Sequence, residues 1–276
     1  MSHVARKRFG QHFLVDRGII EAIVDAIDPR AGERLVEIGP GLAALTGALL
    51  GRIDTLTAIE IDRDLAAGLR RRYGDRLTLV EADALSVDFA ALAVDGPIRL
   101  VGNLPYNISS PLLVHLVPAR ESVVDQHFML QKEVVQRIVS APDSASYGRL
   151  GVLLQAYYDV EMLFEVPPQA FDPPPRVDSA IVRMLPRRAP DAVAPAVLSE
   201  LLAAAFGQRR KMMRKTLLPW LAARGVEAAE LAPTDRPESV PVEIYLTLAR
   251  RLEALRSGDA GRSGPVRNLC QSKAPD

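Results

Sequence analysis

The chain lacks the residues that mark secreted or membrane-bound proteins. It has one cysteine, Cys270, so no disulfide can form within the chain, and we expect a reducing, cytoplasmic location. Its 34 basic and 34 acidic residues cancel, which excludes a global electrostatic field that attracts nucleic acid. No apolar run approaches transmembrane length, and the amino terminus has no apolar signal core. The sequence therefore predicts a cytoplasmic protein without a membrane partner.

Histidines are also few, and nothing in their spacing suggests a metal site. The four are His3, His12, His115 and His127, and no cysteine cluster accompanies them, so we predict no bound metal and treat them as structural or surface residues. Hydrophobic residues make up 48% and charged residues 25% of the 276. Such a chain can form one or two globular domains with a sizeable core.

Short apolar runs alternate with helical patterns over the first two thirds of the chain. Strands are predicted at 35–38, 56–60, 77–80, 98–102, 127–131 and 181–185, and helices at 17–28, 43–50, 62–73 and 132–139. Alternation of this kind is typical of an α/β fold with a parallel, doubly wound, Rossmann-like sheet. Its ligand site is expected at the carboxyl ends of the strands.

The carboxyl-terminal third changes character after a proline-rich connector that contains Pro186, Pro190 and Pro195. Helical patterns follow at 197–206, 208–218 and 242–255. We therefore predict a catalytic domain at 1–188, of which 1–16 form a flexible amino-terminal segment, and a small all-helical domain at 189–256. Residues 257–276 are rich in Gly, Ser, Arg and Pro, which predicts a disordered tail.

A glycine-rich turn, Glu37-Ile38-Gly39-Pro40-Gly41, joins the first of these strands to a helix. Its glycines allow the backbone to approach a ligand closely, and the helix N-terminus offers free N–H groups. Glu60 ends the next strand, where its carboxylate can accept from ribose hydroxyls. The pattern predicts nucleoside binding, but Gly39-x-Gly41-x-x-Ala44 also fits the dinucleotide fingerprint. The turn alone does not choose between NAD and S-adenosylmethionine (SAM).

Asp83 follows the third strand and favours SAM. Its carboxylate is placed to accept from an adenine N6 amine, although aspartate at this point also suits a helix N-cap. Because Gly39 and Glu60 lie in register with it, we favour the ligand role over the cap.

The tetrapeptide Asn103-Leu104-Pro105-Tyr106 follows the fourth strand and indicates the chemistry. The Asn103 amide oxygen and the Leu104 carbonyl can accept from an exocyclic amine, Pro105 fixes the backbone, and Tyr106 offers a stacking face. This set predicts methylation of adenine N6. The competing explanation is a rigid loop whose tyrosine packs on the core.

Phe171 precedes three prolines at 173–175, which hold an extended and stiff backbone. We predict that its ring opposes Tyr106 and closes a slot about one base thick. The alternative is a core phenylalanine that precedes a rigid linker.

Two clusters of basic residues occur in a chain whose charges otherwise cancel. They consist of Arg6, Lys7 and Arg8, and of Arg209, Arg210, Lys211, Arg214 and Lys215. Charge runs are usually solvated faces. Here we predict that both clusters contact RNA phosphates, because one precedes the glycine-containing segment at 9–14 and the other begins a helix of the second domain.

Together these motifs resemble the KsgA/RsmA family of small-subunit ribosomal RNA adenine N6,N6-dimethyltransferases, which are related to the Erm methyltransferases. The resemblance spans roughly residues 5–250 and includes the segments 6–11, 37–41, 103–107, 129–134, 171–180 and 208–211. It implies a class I SAM-dependent methyltransferase sheet with a helical domain that binds RNA. It also implies dimethylation of two adjacent adenosines near the 3′ end of 16S rRNA in the small ribosomal subunit, and a role in ribosome biogenesis.

Carried over by position, the resemblance implies a cofactor shell for SAM formed by His12, Leu14, Gly39, Glu60, Asp83 and Asn103. Family members commonly carry Asn where this chain has His12. The catalytic set is Asn103, Leu104, Pro105, Tyr106 and Phe171, and we expect a monomer. Two other classes would use the same sheet: a Rossmann oxidoreductase, which has no use for residues 103–106, and a catalytically silent ribosome-assembly factor, which would lose the pocket.

Overall fold

The computed structural model describes residues 12–187, 193–208 and 211–260, with side chains as far as 257. These ranges contain nine strands and ten α-helices. The strands are β1 (Phe13–Leu14), β2 (Leu35–Ile38), β3 (Leu56–Ile59), β4 (Leu77–Val80), β5 (Ile98–Asn103), β6 (Val123–Gln131), β7 (Tyr158–Val166), β8 (Phe171–Asp172) and β9 (Ser179–Pro186). The helices are α1 (Arg17–Ile27), α2 (Ala44–Leu49), α3 (Arg63–Tyr73), α4 (Phe89–Leu92), α5 (Ser109–Leu116), α6 (Lys132–Val139), α7 (Arg149–Tyr157), α8 (Pro195–Phe206), α9 (Leu217–Ala222) and α10 (Val242–Ala260).

Seven strands form one sheet in the order β4-β3-β2-β5-β6-β9-β7. The first five of these pair in parallel, whereas β9 runs antiparallel to both β6 and β7. The predicted α/β sheet is confirmed, with an antiparallel pair added at one edge. Along the chain, β3 and β4 are added on one side of β2, whereas β5 and β6 are added on its other side. Ligands of doubly wound folds bind in the crevice at such a switch point, here between β2 and β5.

Helices cover both faces of the sheet, which explains why its central strands are buried almost throughout. Residues 98–102 of β5 are all buried. On one face α1, α2 and α3 contribute Val24, Leu49 and Leu69 to the core. On the other face α5 and α6 contribute Leu112 and Val135. The two layers hold the strands rigidly, so the loops at their carboxyl ends are fixed in position.

The end of the predicted flexible segment is held in place. Residues 13–14 form a two-stranded antiparallel ribbon with residues 171–172, and Val15 N donates to Ala170 O at 2.8 Å. Asp16 then caps α1, because its Oδ1 accepts from Ile19 N at 3.1 Å. The structure thus contradicts the predicted flexibility for residues 13–16, and for 1–11, which lie outside the described ranges, it stays a prediction.

The carboxyl-terminal helices pack against the sheet domain through α7. Buried tyrosine hydroxyls join the two regions: Tyr157 donates to Val193 O and Tyr147 donates to Val240 O, each at 2.9 Å. The core of this region is continuous with the core on one face of the sheet. The boundary between a catalytic domain and a helical domain, predicted between residues 188 and 189, remains a prediction. Of the predicted tail, 257–260 extend α10, and 261–276 lie outside the described ranges.

Several predicted boundaries agree with the structure, and one helix was predicted wrongly. Strands at 35–38 and 77–80 and the helix at 132–139 have the predicted limits. The predicted helix at 208–218 is not formed: residues 213–215 make a single 3-10 turn, and α9 begins only at Leu217. Within the described residues no helix is long and apolar enough to cross a membrane.

Candidate active site

A cavity of about 280 Å³ opens at the carboxyl ends of β2, β3, β4 and β5. All of the predicted cofactor residues line it, namely His12, Leu14, Gly39, Glu60, Asp83 and Asn103. Leu104, Pro105 and Tyr106 line the same cavity. The switch point of the sheet therefore brings the glycine turn and the 103–106 tetrapeptide together around one space, where a Cβ on Gly39 would lie 3.8 Å from Asn103 O.

The glycine turn is shaped by residues with positive φ. Gly39 and Gly41 have φ of 71° and 56°, a region that glycine occupies without strain. A Cβ on Gly41 would lie 3.3 Å from the Phe13 ring, so the turn also needs glycine for close packing. This backbone directs the Gly41 N–H toward Glu60 Oε2, at 3.2 Å. The turn and the acid at the end of β3 thus form one unit.

Glu60 is oriented by the backbone and partly withdrawn from water. Its second oxygen accepts from Asp62 N at 2.9 Å. Burial raises the pKa of Glu60, and the backbone hydrogen bonds oppose this effect. Since a carboxylate offers about four acceptor positions, Glu60 can still accept from a ligand hydroxyl.

Glu37 lies beneath the turn on β2 and is completely buried. Its Oε2 accepts from the Thr46 hydroxyl at 2.7 Å. Burial raises its pKa to about 7, and the nearby Glu60 charge acts in the same direction. A cation above these two carboxylates would favour their charged forms.

The position of Asp83 is compatible with both roles that the sequence allows. Its Oδ1 accepts from Leu85 N at 3.0 Å and caps a 3-10 turn at residues 84–86. Its side chain also lines the cavity. The cap uses one carboxylate oxygen, so the other is available to a ligand, and the cap itself fixes the orientation of the side chain.

Asn103 and Tyr106 are both held by hydrogen bonds. Asn103 Nδ2 donates to the backbone oxygen of His12 at 3.1 Å, which leaves the amide oxygen free of other described residues. The Tyr106 hydroxyl lies 2.7 Å from Ser179 Oγ at the start of β9. Burial raises the pKa of Tyr106, so the phenol stays neutral. The hydroxyl is thus engaged with Ser179, which leaves the ring for the predicted stacking.

Phe171 does not take the predicted position opposite Tyr106. Its Cα pairs with that of Leu14 in the β1–β8 ribbon, and its side chain is only 3% exposed within the core on the α1 face. It is not among the residues that line the cavity. The ribbon turns the ring inward, so in this structure Phe171 is a core residue and the predicted second stacking face is wrong.

A sequence model of the family described as ribosomal RNA adenine dimethylase matches residues 2–254. The chain belongs to this family. The ribosomal RNA small subunit methyltransferase A of Methylibium petroleiphilum is 59% identical over 254 residues, which cover 91% of this chain and 98% of the relative. The protein of the same name from Bordetella pertussis is 56% identical over 268 residues, with 96% and 99% covered.

Solved structures share the fold. A dimethyladenosine transferase from Plasmodium falciparum has a TM-score of 0.74 at 23% identity, covering 89% of this chain and 98% of its own. The 23S rRNA methyltransferase ErmE has a TM-score of 0.65 at 27% identity, covering 87% and 99%. These matches confirm the class I methyltransferase fold and the relation to Erm enzymes. The protein is a SAM-dependent ribosomal RNA adenine dimethyltransferase.

The apolar part of the dimethylase cavity was not predicted. Phe13, Leu42 and Ile61 line it, and Leu42 and Ile61 are 45% and 49% exposed. Exposed apolar side chains beside carboxylates suit a flat, partly polar ligand. In the sequence, these two residues can be recognised by their positions: Leu42 directly follows the glycine turn, and Ile61 directly follows Glu60.

His127 is not a surface residue. It lines the deep end of the cavity on β6 and is 3% exposed. Burial lowers its pKa to about 4, so the ring is neutral at physiological pH. In the described residues no cluster of three or more His, Cys, Asp or Glu side chains is arranged to hold a metal.

The structure describes only part of the two predicted RNA-binding clusters. Arg6, Lys7, Arg8, Arg209 and Arg210 lie outside the described residues. Lys211, Arg214 and Lys215 are all exposed around the 3-10 turn that precedes α9.

Proposed function

We propose that this enzyme uses SAM to dimethylate N6 of two adjacent adenosines near the 3′ end of 16S rRNA in the small ribosomal subunit. Membership of the dimethylase family and the names of its relatives support the reaction and the substrate. The observation that carries the proposal is the position of Asn103 and Tyr106 at the rim of a nucleoside-sized cavity, where a base can meet a bound cofactor.

The side chains in the cavity fit SAM better than NAD. Glu37, Glu60 and Asp83 line it, and no Lys or Arg does so among the described residues. A diphosphate would face three carboxylates, whereas a sulfonium cation is favoured by them. Glu60 is placed for the ribose hydroxyls and Asp83 for the adenine amine, with Gly39 and Leu14 forming the surrounding wall. This charge distribution argues against the oxidoreductase alternative.

Asn103 and Leu104 activate the target amine. The N6 lone pair of adenine is delocalised into its ring, which makes the amine a poor nucleophile. Hydrogen bonds from N6–H to the Asn103 amide oxygen and the Leu104 carbonyl favour a tetrahedral nitrogen and make the lone pair available. When bound, SAM supplies an electrophilic methyl group. The two oxygens also stabilise the positive charge that develops on N6.

Tyr106 and Pro105 orient the base. The ring of Tyr106 offers a stacking face, and its tether to Ser179 fixes the ring plane, so a flipped adenine is held in a near-attack position. No strong general base is needed, because the methylated, cationic N6 is acidic enough to lose its proton to water.

The exposed cations near α9 are suited to phosphate contacts. Lys211, Arg214 and Lys215 form no ion pair with other described residues. By contrast, Arg256 Nη2 lies 2.6 Å from Glu200 Oε2, and the Arg251 guanidinium forms an ion pair with Glu230. Unpaired cations can neutralise RNA phosphates without first losing a protein partner. We assign the same role to the first basic cluster, at 6–8, and to the remaining members of the second, at 209–210.

The function is tested by incubating the protein with tritiated SAM and small subunits that lack the modification, and then mapping the label. We expect label on N6 of two adjacent adenosines near the 3′ end of 16S rRNA. The matched control is Asn103→Ala, which should leave subunit binding in place and remove the label. Tight NADH binding without SAM binding in calorimetry would overturn the proposal.

A further inference from the structure

We propose that His127 is a cofactor-binding residue whose ring nitrogen Nε2 accepts a hydrogen bond from the α-ammonium group of SAM. The inference rests on the proposed function, because it takes the adenosine part of SAM to be held by Asp83 and Glu60. For this histidine the sequence predicted only a structural or surface role.

The imidazole of His127 is a buried polar group without a partner. The side chain is almost completely buried, and neither ring nitrogen has a hydrogen-bond partner among the described residues. No other described side chain that lines the cavity has buried nitrogen or oxygen atoms in this condition. Leaving such atoms unpaired costs free energy, because they have lost their hydrogen bonds to water. A ligand in the cavity can supply the missing partner.

Asp125 determines which ring nitrogen is the acceptor. His127 Nδ1 lies 3.8 Å from Asp125 Oδ1. The Asp125 carboxylate is held in place by Arg99, whose Nε and Nη2 donate to it at 2.9 and 2.7 Å. Asp125 precedes His127 by two positions on β6, so it lies on the same face but farther from the carboxyl end of the strand. A carboxylate on that side favours the proton on Nδ1, which leaves Nε2 as the acceptor, directed away from Asp125.

A neutral imidazole nitrogen suits an ammonium donor. Burial lowers the pKa of His127 to about 4, the charges of Arg99 and Arg183 act in the same direction, and the Asp125 charge opposes them. The ring is therefore neutral at physiological pH and has one acceptor nitrogen. Three carboxylates line the same cavity, and no Lys or Arg of the described residues does so. A cationic group is thus favoured over an anionic one as the partner of His127.

The walls of the cavity leave one direction for the amino-acid end of SAM. The sulfonium sulfur carries the adenosyl group, the methyl group and a short apolar chain that ends in the ammonium and carboxylate groups. The proposed function takes the adenosyl group to the ends of β3 and β4 and turns the methyl group toward the base beside Asn103. The remaining wall is apolar and includes Leu14, Ile23 and Met129. His127 shares a face of β6 with Met129 and lies at the deep end of this wall.

A small movement of a neighbouring side chain admits the ammonium group. Neither nitrogen of His127 is exposed to water, so the wall has to yield when a ligand atom reaches Nε2. Met129 lines this wall, and its unbranched side chain adapts readily to a new shape. The strand pairs of β6 with β5 and β9 need not change, because the movement involves a side chain only.

Calorimetry with two ligands tests the contact. SAM carries the ammonium group, whereas 5′-methylthioadenosine keeps the adenosine and the sulfur but lacks the amino-acid end. His127→Phe keeps a buried ring and loses both nitrogens, so it should weaken SAM binding by about tenfold and change methylthioadenosine binding less than twofold. The matched control is His115→Phe, because His115 is half-buried, contacts Val87 O at 2.9 Å and does not line the cavity. It should leave both affinities unchanged.

A third ligand identifies the group that His127 contacts. Decarboxylated SAM keeps the ammonium group and lacks the carboxylate, so His127→Phe should weaken its binding as much as that of SAM. If decarboxylated SAM binds His127→Phe as well as it binds the original protein, the partner is the carboxylate and the inference is wrong. Equal weakening of SAM and methylthioadenosine would also overturn it, because the ring would then act through the shape of the cavity.

Nitrogen-15 NMR of the unsubstituted protein gives a test that does not depend on any variant. Saturation with SAM should move the Nε2 resonance of His127, and saturation with methylthioadenosine should leave it in place. An Nε2 resonance that is the same with both ligands would contradict the contact. If the unsubstituted protein binds no SAM and labels no subunits, the proposed function fails. If it does both, and His127→Phe binds SAM normally, only the inference about His127 fails.

Discussion

At the scale of single residues, the proposed function gives Asn103 the activation of N6 and Tyr106 the stacking of the base. Substitutions at the two positions should separate these contributions. Tyr106→Ala removes a stacking face worth ~1–3 kcal/mol per base and should impair capture of the flipped adenine. Tyr106→Phe loses only the bond to Ser179 and should retain most activity.

Asn103→Ala keeps the Tyr106 stacking face and should nearly abolish methyl transfer while subunits still bind. Single-turnover rates at saturating SAM measure this, and a near-normal rate for Asn103→Ala would refute N6 activation.

Glu37 should make the stability of the cofactor-free protein depend on pH. Its pKa is about 7 in the folded state against 4.5 for the free side chain. The folded state thus binds the extra proton, and the stability this provides is full below pH 4.5 and lost as pH rises through 7. The loss is on the order of 3 kcal/mol.

The substitution Glu37→Gln tests this dependence. It keeps an acceptor for Thr46 and removes the ionisable group, so the variant should gain stability over the original protein at pH 8 and much less at pH 5. Urea denaturation at both pH values measures the difference. Glu60, whose pKa is also raised by burial, is present in both proteins, so its own burial is common to them and only its charge coupling to Glu37 differs. An equal difference at the two pH values would contradict the argument.

At the scale of elements, sequence patterns predict the limits of those strands and helices that depend on neighbouring residues alone. β2 and α6 have the predicted limits because each is a short periodic run. The change from α7 to β7 was missed because the helix ends at Tyr157 and the strand begins at Tyr158 with no Gly or Pro between them. The glycine turn, Glu60 and the 103–106 tetrapeptide meet at one cavity, as predicted, because the carboxyl ends of parallel strands lie at one edge of the sheet. The position of Phe171 depends on its pairing with Leu14, a distant contact that periodicity does not contain.

The close approach of β2 and β5 predicts a sensitive position at Gly102. A Cβ there would lie 2.4 Å from Ile38 O, which is backbone and cannot move aside without separating the strands. Gly102→Ala should therefore destabilise the protein by about 1–3 kcal/mol and weaken SAM binding, because Gly39 and Asn103 lie at the ends of these strands.

The matched control is Gly68→Ala in α3, where a new Cβ meets nothing within 4 Å. That change should be neutral or stabilising by about 0.5–1 kcal/mol, as expected for alanine in a helix. Thermal unfolding and SAM calorimetry are the measurements. Equal stability of the two variants would show that the strands are less tightly joined than the structure indicates.

Across the whole molecule, zero net charge is compatible with RNA binding because some cations form ion pairs with glutamates and others do not. In the carboxyl-terminal region, Arg224 and Arg256 share Glu200, and Arg251 pairs with Glu230. Lys211 and Lys215 are exposed without such partners among the residues that the structure describes. Cations without ion-pair partners therefore lie around the turn that precedes α9, although the charges of the chain sum to zero.

This distribution predicts how salt affects subunit binding. Replacing Lys211, Arg214 and Lys215 by Ala should flatten the log–log dependence of affinity on salt by about 0.7–0.9 for each RNA phosphate that the protein no longer neutralises. Replacing Arg224, Arg251 and Arg256 by Ala removes the same charge, but from cations already neutralised by glutamates, so the slope should change much less. Filter binding of subunits over a range of KCl concentrations measures both slopes, with SAM affinity unchanged in either variant. Equal slopes for the two triple variants would mean that total charge, and not the unpaired cluster at 211–215, determines RNA binding.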